Sequence, residues 1–135
     1  MSKPLVSIIV PTYNRFEYLL NALESIRKQN YENIEIIIVN DCSTDERYYN
    51  HNFGKNVIKI DLEKNQKDVL GYVSAGHIRN FGIKRAKGKY IATLDDDDIW
   101  LPEKLKKQIE VLESSENKMS ATDGLFGSGI YDKNS

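Results

Sequence analysis

The sequence predicts an α/β domain with a mostly parallel sheet flanked by helices. Two apolar runs rich in β-branched residues, Leu5–Val10 and Ile34–Val39, lack polar alternation and are typical of strands buried on both faces. A helical pattern separates them, and the alternation of strand and helix continues toward residue 112. At 135 residues the chain has room for one domain, which we assign to residues 1–135.

The first helix is predicted from Arg15 to near Asn30. Asn14 is its candidate N-cap, because a short polar side chain can accept from the free amides of a first helical turn. The apolar residues of this segment recur at three- and four-residue spacing, which indicates one buried helix face. They are Phe16, Leu19, Leu20, Leu23 and Ile26.

The middle of the chain predicts two further strands and a second helix. Val57–Ile60 indicates a short third strand, and Asp61–Gly71 is predicted to be polar loop. A helix is expected over Ser74–Ala86, closed by Gly88 as the glycine that follows the last turn. Tyr90–Leu94 is predicted as the fourth strand. We expect the spatial order 3-2-1-4, as in one half of a doubly wound sheet.

The end of the chain predicts one helix and one weaker strand. Pro102 is expected at the first position of a helix that runs to about Ser114. A last strand is expected within Thr122–Tyr131, where three glycines weaken the pattern.

The composition excludes several classes of protein. Lys and Arg number 19 against 20 Asp and Glu, so the net charge of -1 offers no bulk attraction to nucleic acid or to anionic lipid. Cys42 is the only cysteine, which excludes an intrachain disulfide. The sequence shows neither a signal peptide nor an apolar run long enough to span a membrane. We expect a cytoplasmic location, with the inner face of the membrane as the alternative.

Polar residues follow three of the predicted strands, and ligands bind beyond the carboxyl ends of the strands in parallel α/β sheets. Pro11–Asn14 follows the first strand, Asn40–Asp41 the second, and Asp95–Asp98 the fourth. We therefore expect these three segments to converge at one edge of the sheet.

The acidic run is the candidate metal site. In an extended segment residues i and i+2 point the same way, so Asp95 with Asp97, or Asp96 with Asp98, can converge on one hard cation. Mg²⁺ and Mn²⁺ are commonly held by one or two carboxylates together with substrate phosphates, which favours a diphosphate-bearing ligand. The alternative is a solvated acidic loop that caps the following helix. The position directly after a buried strand favours the metal site.

Three further residues are candidate ligand contacts. Asp41 could accept from a base imide or a ribose hydroxyl, although an Asx turn is the alternative at this position. Tyr13 could offer a flat face to a nucleobase, and Arg79 could bind an anion or a base or could be a solvated helix residue. No Gly-x-Gly-x-x-Gly or Gly-x4-Gly-Lys-Ser/Thr motif is present, which excludes the usual dinucleotide and P-loop sites.

Three segments carry a family resemblance. VSIIVPTYNR (Val6–Arg15), IEIIIVNDCSTDE (Ile34–Glu46) and HIRNFGIKRAKGKYIATLDDDDIWLPEKL (His77–Leu105) occur in this order. They resemble the successive signature blocks of family 2 glycosyltransferases, which are inverting enzymes of the GT-A fold. The resemblance implies a GT-A (Rossmann-like) sheet, truncated here, and the N-terminal, nucleotide-sugar-binding portion of a glycosyltransferase domain.

The resemblance also implies a reaction. A sugar would pass with inversion from a nucleoside-diphosphate sugar, commonly UDP-linked, to the hydroxyl of a saccharide or lipid-linked acceptor, as in polysaccharide biosynthesis. Mn²⁺ or Mg²⁺ would bridge the diphosphate to a DXD motif, best matched by Asp95-Asp96-Asp97, with Asp97 and Asp95 as metal ligands. The implied nucleotide-binding residues are Pro11, Thr12, Tyr13, Asp41, Arg79, Asp95 and Asp96.

The chain departs from the family in two ways. The usual Asp-Gly-Ser turn is Asp41-Cys42-Ser43 here, so a positive φ would cost more than with glycine. Family members are much longer, and we expect the general base outside this chain, since Asp123 and Asp132 lie too near the nucleotide half to be nominated.

Two other functions stay open at this point. One is a non-catalytic module that binds nucleotide sugars or metal without transferring anything. The other is a sugar nucleotidyltransferase, which would need a Gly-rich, Arg-containing turn where Pro11-Thr12-Tyr13 stands.

Overall fold

A four-stranded, wholly parallel sheet forms the centre of the computed structural model, which describes residues 3–114. The spatial order is β3-β2-β1-β4, as the sequence predicts. The two central strands are the two apolar runs, which are buried on both faces because helices cover both sides. The strands are β1 (Val6–Thr12), β2 (Ile34–Asn40), β3 (Val57–Asp61) and β4 (Tyr90–Thr93).

Five helices are present in the described residues: α1 (Phe16–Arg27), α2 (Arg47–Asn50), α3 (Gln66–Leu70), α4 (Ala75–Ile83) and α5 (Lys104–Glu113). The apolar faces of α1 and α5 pack on one side of the sheet in the larger core, which also encloses Tyr48 of α2. On the other side α4 covers Ile9 and Val39. Among residues 3–114 no helix is both long and apolar enough to cross a membrane.

Gly82 sets the distance between α4 and the sheet. A Cβ atom at this position would lie 2.7 Å from Ile9 Cγ2 and 3.1 Å from Val39 Cγ2, so only glycine allows the observed approach. The face of α4 that carries Gly82 is therefore its packing face, with the smallest residue at the closest contact.

Pro11 lies inside the central strand β1, where proline is normally excluded because it cannot donate to the ladder. The carbonyl of Ile9 accepts from Leu94 on the β4 side, whereas the carbonyl of Thr12 accepts from Asp41 on the β2 side. The backbone hydrogen-bonding groups of successive residues point to alternate neighbouring strands. The backbone nitrogen of Pro11 therefore points toward β4, as the carbonyl of Ile9 does. Pairing with β4 ends at Ile9 opposite Thr93, so the ladder loses no hydrogen bond at Pro11.

Four sequence-based expectations need correction. Asn14 is not the N-cap of α1: Arg15 holds that position, and Asn14 has a φ of 48° and accepts from the amides of Thr44 and Asp45 instead. The segment predicted as polar loop contains α3, whose N-cap Asn65 accepts from two amides of the first turn.

Gly88 does not close α4, which ends five residues earlier. A Cβ at Gly88 would lie 2.6 Å from the backbone nitrogen of Ser7, so this glycine serves close packing against β1. Pro102 precedes α5 by two residues rather than beginning it. The strand expected within Thr122–Tyr131 lies outside the described residues.

Candidate functional site

The carboxyl ends of β1, β2 and β4 meet at one edge of the sheet, as predicted. The amide of Asp41, after β2, donates to the carbonyl of Thr12 at 3.0 Å. The hydroxyl of Thr12 donates to Oδ2 of Asp96, after β4, at 2.9 Å. Three segments that are far apart in sequence are thus hydrogen-bonded to one another at this edge.

Three of the four consecutive aspartates form one carboxylate cluster. Oxygens of Asp95, Asp97 and Asp98 all lie within 4.8 Å of one another, which fits a hard divalent cation with oxygen ligands. The segment is not extended, because the Asp98 amide donates to the Asp95 carbonyl at 3.0 Å in a turn. The turn adds Asp98 to the predicted pair of Asp95 and Asp97. Burial is the main cause that raises the pKa of Asp98, and repulsion from the carboxylates of Asp97 and Asp95 raises it further.

Two arginines contact this cluster. Nη2 of Arg79, on α4, lies 2.6 Å from Oδ1 of Asp95, and Nη1 of Arg15 lies 2.8 Å from Oδ2 of Asp97. Both pairs are partly exposed to solvent, where such pairs contribute little net stability. Both arginines thus place a positive charge beside the carboxylate cluster.

Asp96 differs from its three neighbours because it is only 7% exposed and turns toward β1. It accepts from the hydroxyl of Thr12, and its Oδ1 lies 3.8 Å from Nη1 of Arg15. Burial raises the pKa of Asp96 despite these contacts. Thr12 and Asp96 thus lie in the floor of the site rather than on its open surface.

Asp41 is only 5% exposed at the end of β2. Its Oδ1 accepts from the Gln66 amide at 2.8 Å, and its Oδ2 lies 3.3 Å from Nδ2 of Asn65. Burial raises the pKa of this carboxyl, and the Gln66 amide opposes that shift. The next residue, Cys42, has a φ of 59°, which confirms that the turn here requires the left-handed conformation.

A cleft of about 630 Å³ lies beside Asp41. Tyr13, 45% exposed, forms part of its wall, as do four residues in and before α3. The lining residues are Tyr13, Cys42, Thr44, Lys64, Asn65, Asp68 and Val69.

Sequence reasoning missed the α3 side of this cleft, together with Arg15 and Tyr48. For α3 a signal existed: Asn65 is followed three residues later by Asp68, a pattern close to a capping box. For Tyr48, one of eight tyrosines, the sequence offers no such signal.

Comparison with known proteins assigns the chain to a family. The sequence model of glycosyl transferase family 2 matches residues 7–126. An uncharacterized glycosyltransferase of Rickettsia prowazekii is 40% identical over 116 residues, which cover 85% of this chain and 34% of that protein. A Bacillus subtilis glycosyltransferase, provisionally assigned to teichuronic acid biosynthesis, is 37% identical over 82% of this chain and 42% of its own length.

The solved structures show the same fold. The crystal structure of residues 1–349 of S. aureus TarS in complex with UDP-GlcNAc has a TM-score of 0.74 and 29% identity. It covers 94% of this chain, and this chain covers 37% of it. The chain therefore has the GT-A architecture of these enzymes and spans between about a third and two fifths of the length of the relatives described here. It belongs to glycosyl transferase family 2.

Proposed function

We propose that the chain is the donor-binding part of an inverting, metal-dependent glycosyltransferase that uses a UDP-linked sugar. The observation that carries the proposal is the cluster of Asp95, Asp97 and Asp98, which lies at the same sheet edge as Asp41 and the cleft beside Tyr13. A nucleoside diphosphate needs both parts, since its base and ribose need a cleft and its phosphates need a metal or cations. The UDP-GlcNAc complex of TarS supports UDP as the nucleotide.

The metal end of the site would be formed by Asp97 and Asp95, with Asp98 as the third carboxylate. These oxygens fit Mn²⁺ or Mg²⁺, which would offset the charge that develops on the departing diphosphate. Arg79 and Arg15 already flank the cluster and would turn from the carboxylates toward phosphate oxygens.

The nucleotide end would be formed by the segments after β1 and β2. Tyr13 would stack on the base, Asp41 would accept from the base or the ribose, and Pro11, near the end of β1, would lie beside them. Thr12 and Asp96 would support this surface from the buried floor.

The acceptor side is proposed from relatives alone. The Bacillus subtilis relative favours a saccharide or lipid-linked acceptor in polysaccharide biosynthesis. The general base that activates the acceptor hydroxyl would lie outside this chain, which spans only 37% of the TarS chain.

Cooperative binding of UDP and Mn²⁺ tests the proposal. The carboxylate cluster and the diphosphate are each incomplete hosts for the cation, so the melting temperature should rise more with both than with the sum of either alone. Glu32→Gln, an exposed change near the opposite end of β2, should leave this effect intact. Equal shifts with UDP in the presence and absence of Mn²⁺ would refute the metal bridge.

A further inference from the structure

A chain of hydrogen bonds runs beneath the loop between β1 and α1. The amide of Arg15 donates to the Tyr48 hydroxyl at 2.8 Å, and this hydroxyl lies 2.6 Å from Oγ1 of Thr12. Thr12 in turn donates to Oδ2 of Asp96 at 2.9 Å. The side chains of Tyr48, Thr12 and Asp96 are all buried, so water cannot readily replace any of these bonds.

The groups at the two ends of this series of hydrogen bonds determine which group donates at each step. An amide can only donate and a carboxylate can only accept, so the single proton of the Thr12 hydroxyl goes to Asp96. The Tyr48 hydroxyl must then donate to Thr12 and accept from Arg15. Removing the phenolic oxygen would therefore leave two partners unsatisfied at once, the Arg15 amide and the Thr12 oxygen.

Two successive amides of this loop donate to side chains from elsewhere in the chain. The Asn14 amide donates to Oγ of Ser43 at 3.0 Å, and the Arg15 amide donates to the Tyr48 hydroxyl. The loop has no ladder of its own, and Asn14 has a positive φ. Its conformation therefore depends on these contacts.

The same loop carries two residues of the site. The ring of Tyr13 borders the cleft, and the guanidinium of Arg15 contacts Asp97 of the carboxylate cluster. One conformation of the loop therefore positions both the Tyr13 ring beside the cleft and the Arg15 guanidinium beside the carboxylate cluster.

We propose that Tyr48 and Asp96 are positioning residues that hold the loop between β1 and α1 in the conformation that binds the nucleotide. This inference rests on the proposed function, adds Tyr48 to it, and gives Asp96 of the buried floor a specific role that needs no contact with the donor. Their effect passes through the backbone of residues 13–15.

Tyr48→Phe is the most direct test, because it removes one oxygen and keeps the buried ring. Tyr31→Phe is the matched control: Tyr31 is also buried, and its hydroxyl donates to the carbonyl of Pro4, just before the start of β1. We expect Tyr48→Phe to weaken Mn²⁺-dependent UDP binding about tenfold, as judged by calorimetry on the full chain. Tyr31→Phe should bind within about twofold of the unsubstituted chain, because its hydrogen bond lies away from the loop.

Amide exchange supplies a readout that needs no ligand. In the ligand-free chain the Arg15 amide should exchange faster in Tyr48→Phe and unchanged in Tyr31→Phe. Thr12→Val removes the next hydroxyl in the series of hydrogen bonds. The variant that carries both Tyr48→Phe and Thr12→Val should bind UDP no worse than the weaker-binding single variant, since both changes break the same series of hydrogen bonds. Thr12→Val also carries the test should Tyr48→Phe fail to fold.

Two results would overturn the inference while leaving the proposed function intact. The first is equal UDP affinity in Tyr48→Phe and Tyr31→Phe, and the second is an unchanged exchange rate at Arg15. Failure of the unsubstituted chain to bind UDP with Mn²⁺ would overturn the proposed function, and this inference with it.

Discussion

Four consecutive aspartates perform two different structural roles at the end of β4. Asp95, Asp97 and Asp98 present their carboxylates together, whereas Asp96 is buried against Thr12. An identical run of residues carries no internal pattern, so the sequence predicted the site but not this division. The turn closed between Asp95 and Asp98 decides it, because it brings its two end residues together while Asp96 faces β1.

Asp97→Asn should weaken Mn²⁺-dependent UDP binding without lowering the stability of the ligand-free chain. The change removes one carboxylate from a crowded cluster and so relieves repulsion, while the lost contact with Arg15 is partly exposed and contributes little. Calorimetry with and without Mn²⁺ measures the binding, and thermal unfolding measures the stability. Unchanged Mn²⁺-dependent affinity would move the metal to another pair in the run.

Cys42→Gly should raise the free energy of unfolding. A non-glycine residue in the left-handed region costs about 1 to 2 kcal/mol, and the added chain entropy of glycine offsets about 0.5 to 1 kcal/mol of that gain. We expect a net rise of about 0.5 to 1 kcal/mol in denaturant unfolding. Cys42→Ala keeps the positive φ and is the control. Equal stability of the glycine and alanine variants would show that the turn is not strained.

At the scale of elements, patterns with many residues predicted the fold well. The two long apolar runs predicted the central strands, and the polar residues at the strand ends predicted that three segments meet at one edge of the sheet. Short elements were missed or misplaced, because α3 has five residues and its capping pattern is the only local signal. The role of Asn14 was unpredictable for a different reason: its partners Thr44 and Asp45 are about 30 residues away.

Gly82→Ala should destabilise the chain although alanine favours helices. The new methyl group would lie 2.7 Å from Ile9 Cγ2, in a central strand that cannot move without disturbing its neighbours. We expect a loss of about 1 to 3 kcal/mol from overpacking, less about 1 kcal/mol gained from helix propensity. Gly76→Ala, in the same helix with nothing within 4 Å of the new Cβ, should not destabilise the chain. The two denaturation midpoints should therefore move in opposite directions.

At the scale of the whole molecule, we expect the 135-residue chain to bind the donor without transferring its sugar at a useful rate. Positioning of the acceptor can lower the barrier by about 7 to 11 kcal/mol, and a general base adds about 10² to 10⁴-fold. Under the proposed function, residues 3–114 would supply only the donor side of that geometry. Slow hydrolysis of the donor would still occur, since water needs no acceptor pocket.

The rates of sugar transfer and of donor hydrolysis can be measured as the release of UDP from a panel of UDP-sugars, with and without simple sugar acceptors. The release should be slow and independent of the acceptor. Strong acceptor-dependent release would place the general base within the chain, with Asp123 and Asp132 as the first residues to substitute.

The turn after β2 carries a natural site for chemical labelling. Cys42 is the only cysteine of the sequence and lies in the wall of the cleft beside Tyr13. A thiol-reactive fluorophore would therefore label the natural sequence at a single position, next to where the nucleotide is proposed to bind. Occupancy of the cleft could be followed optically, with no engineered cysteine and no background from a second thiol.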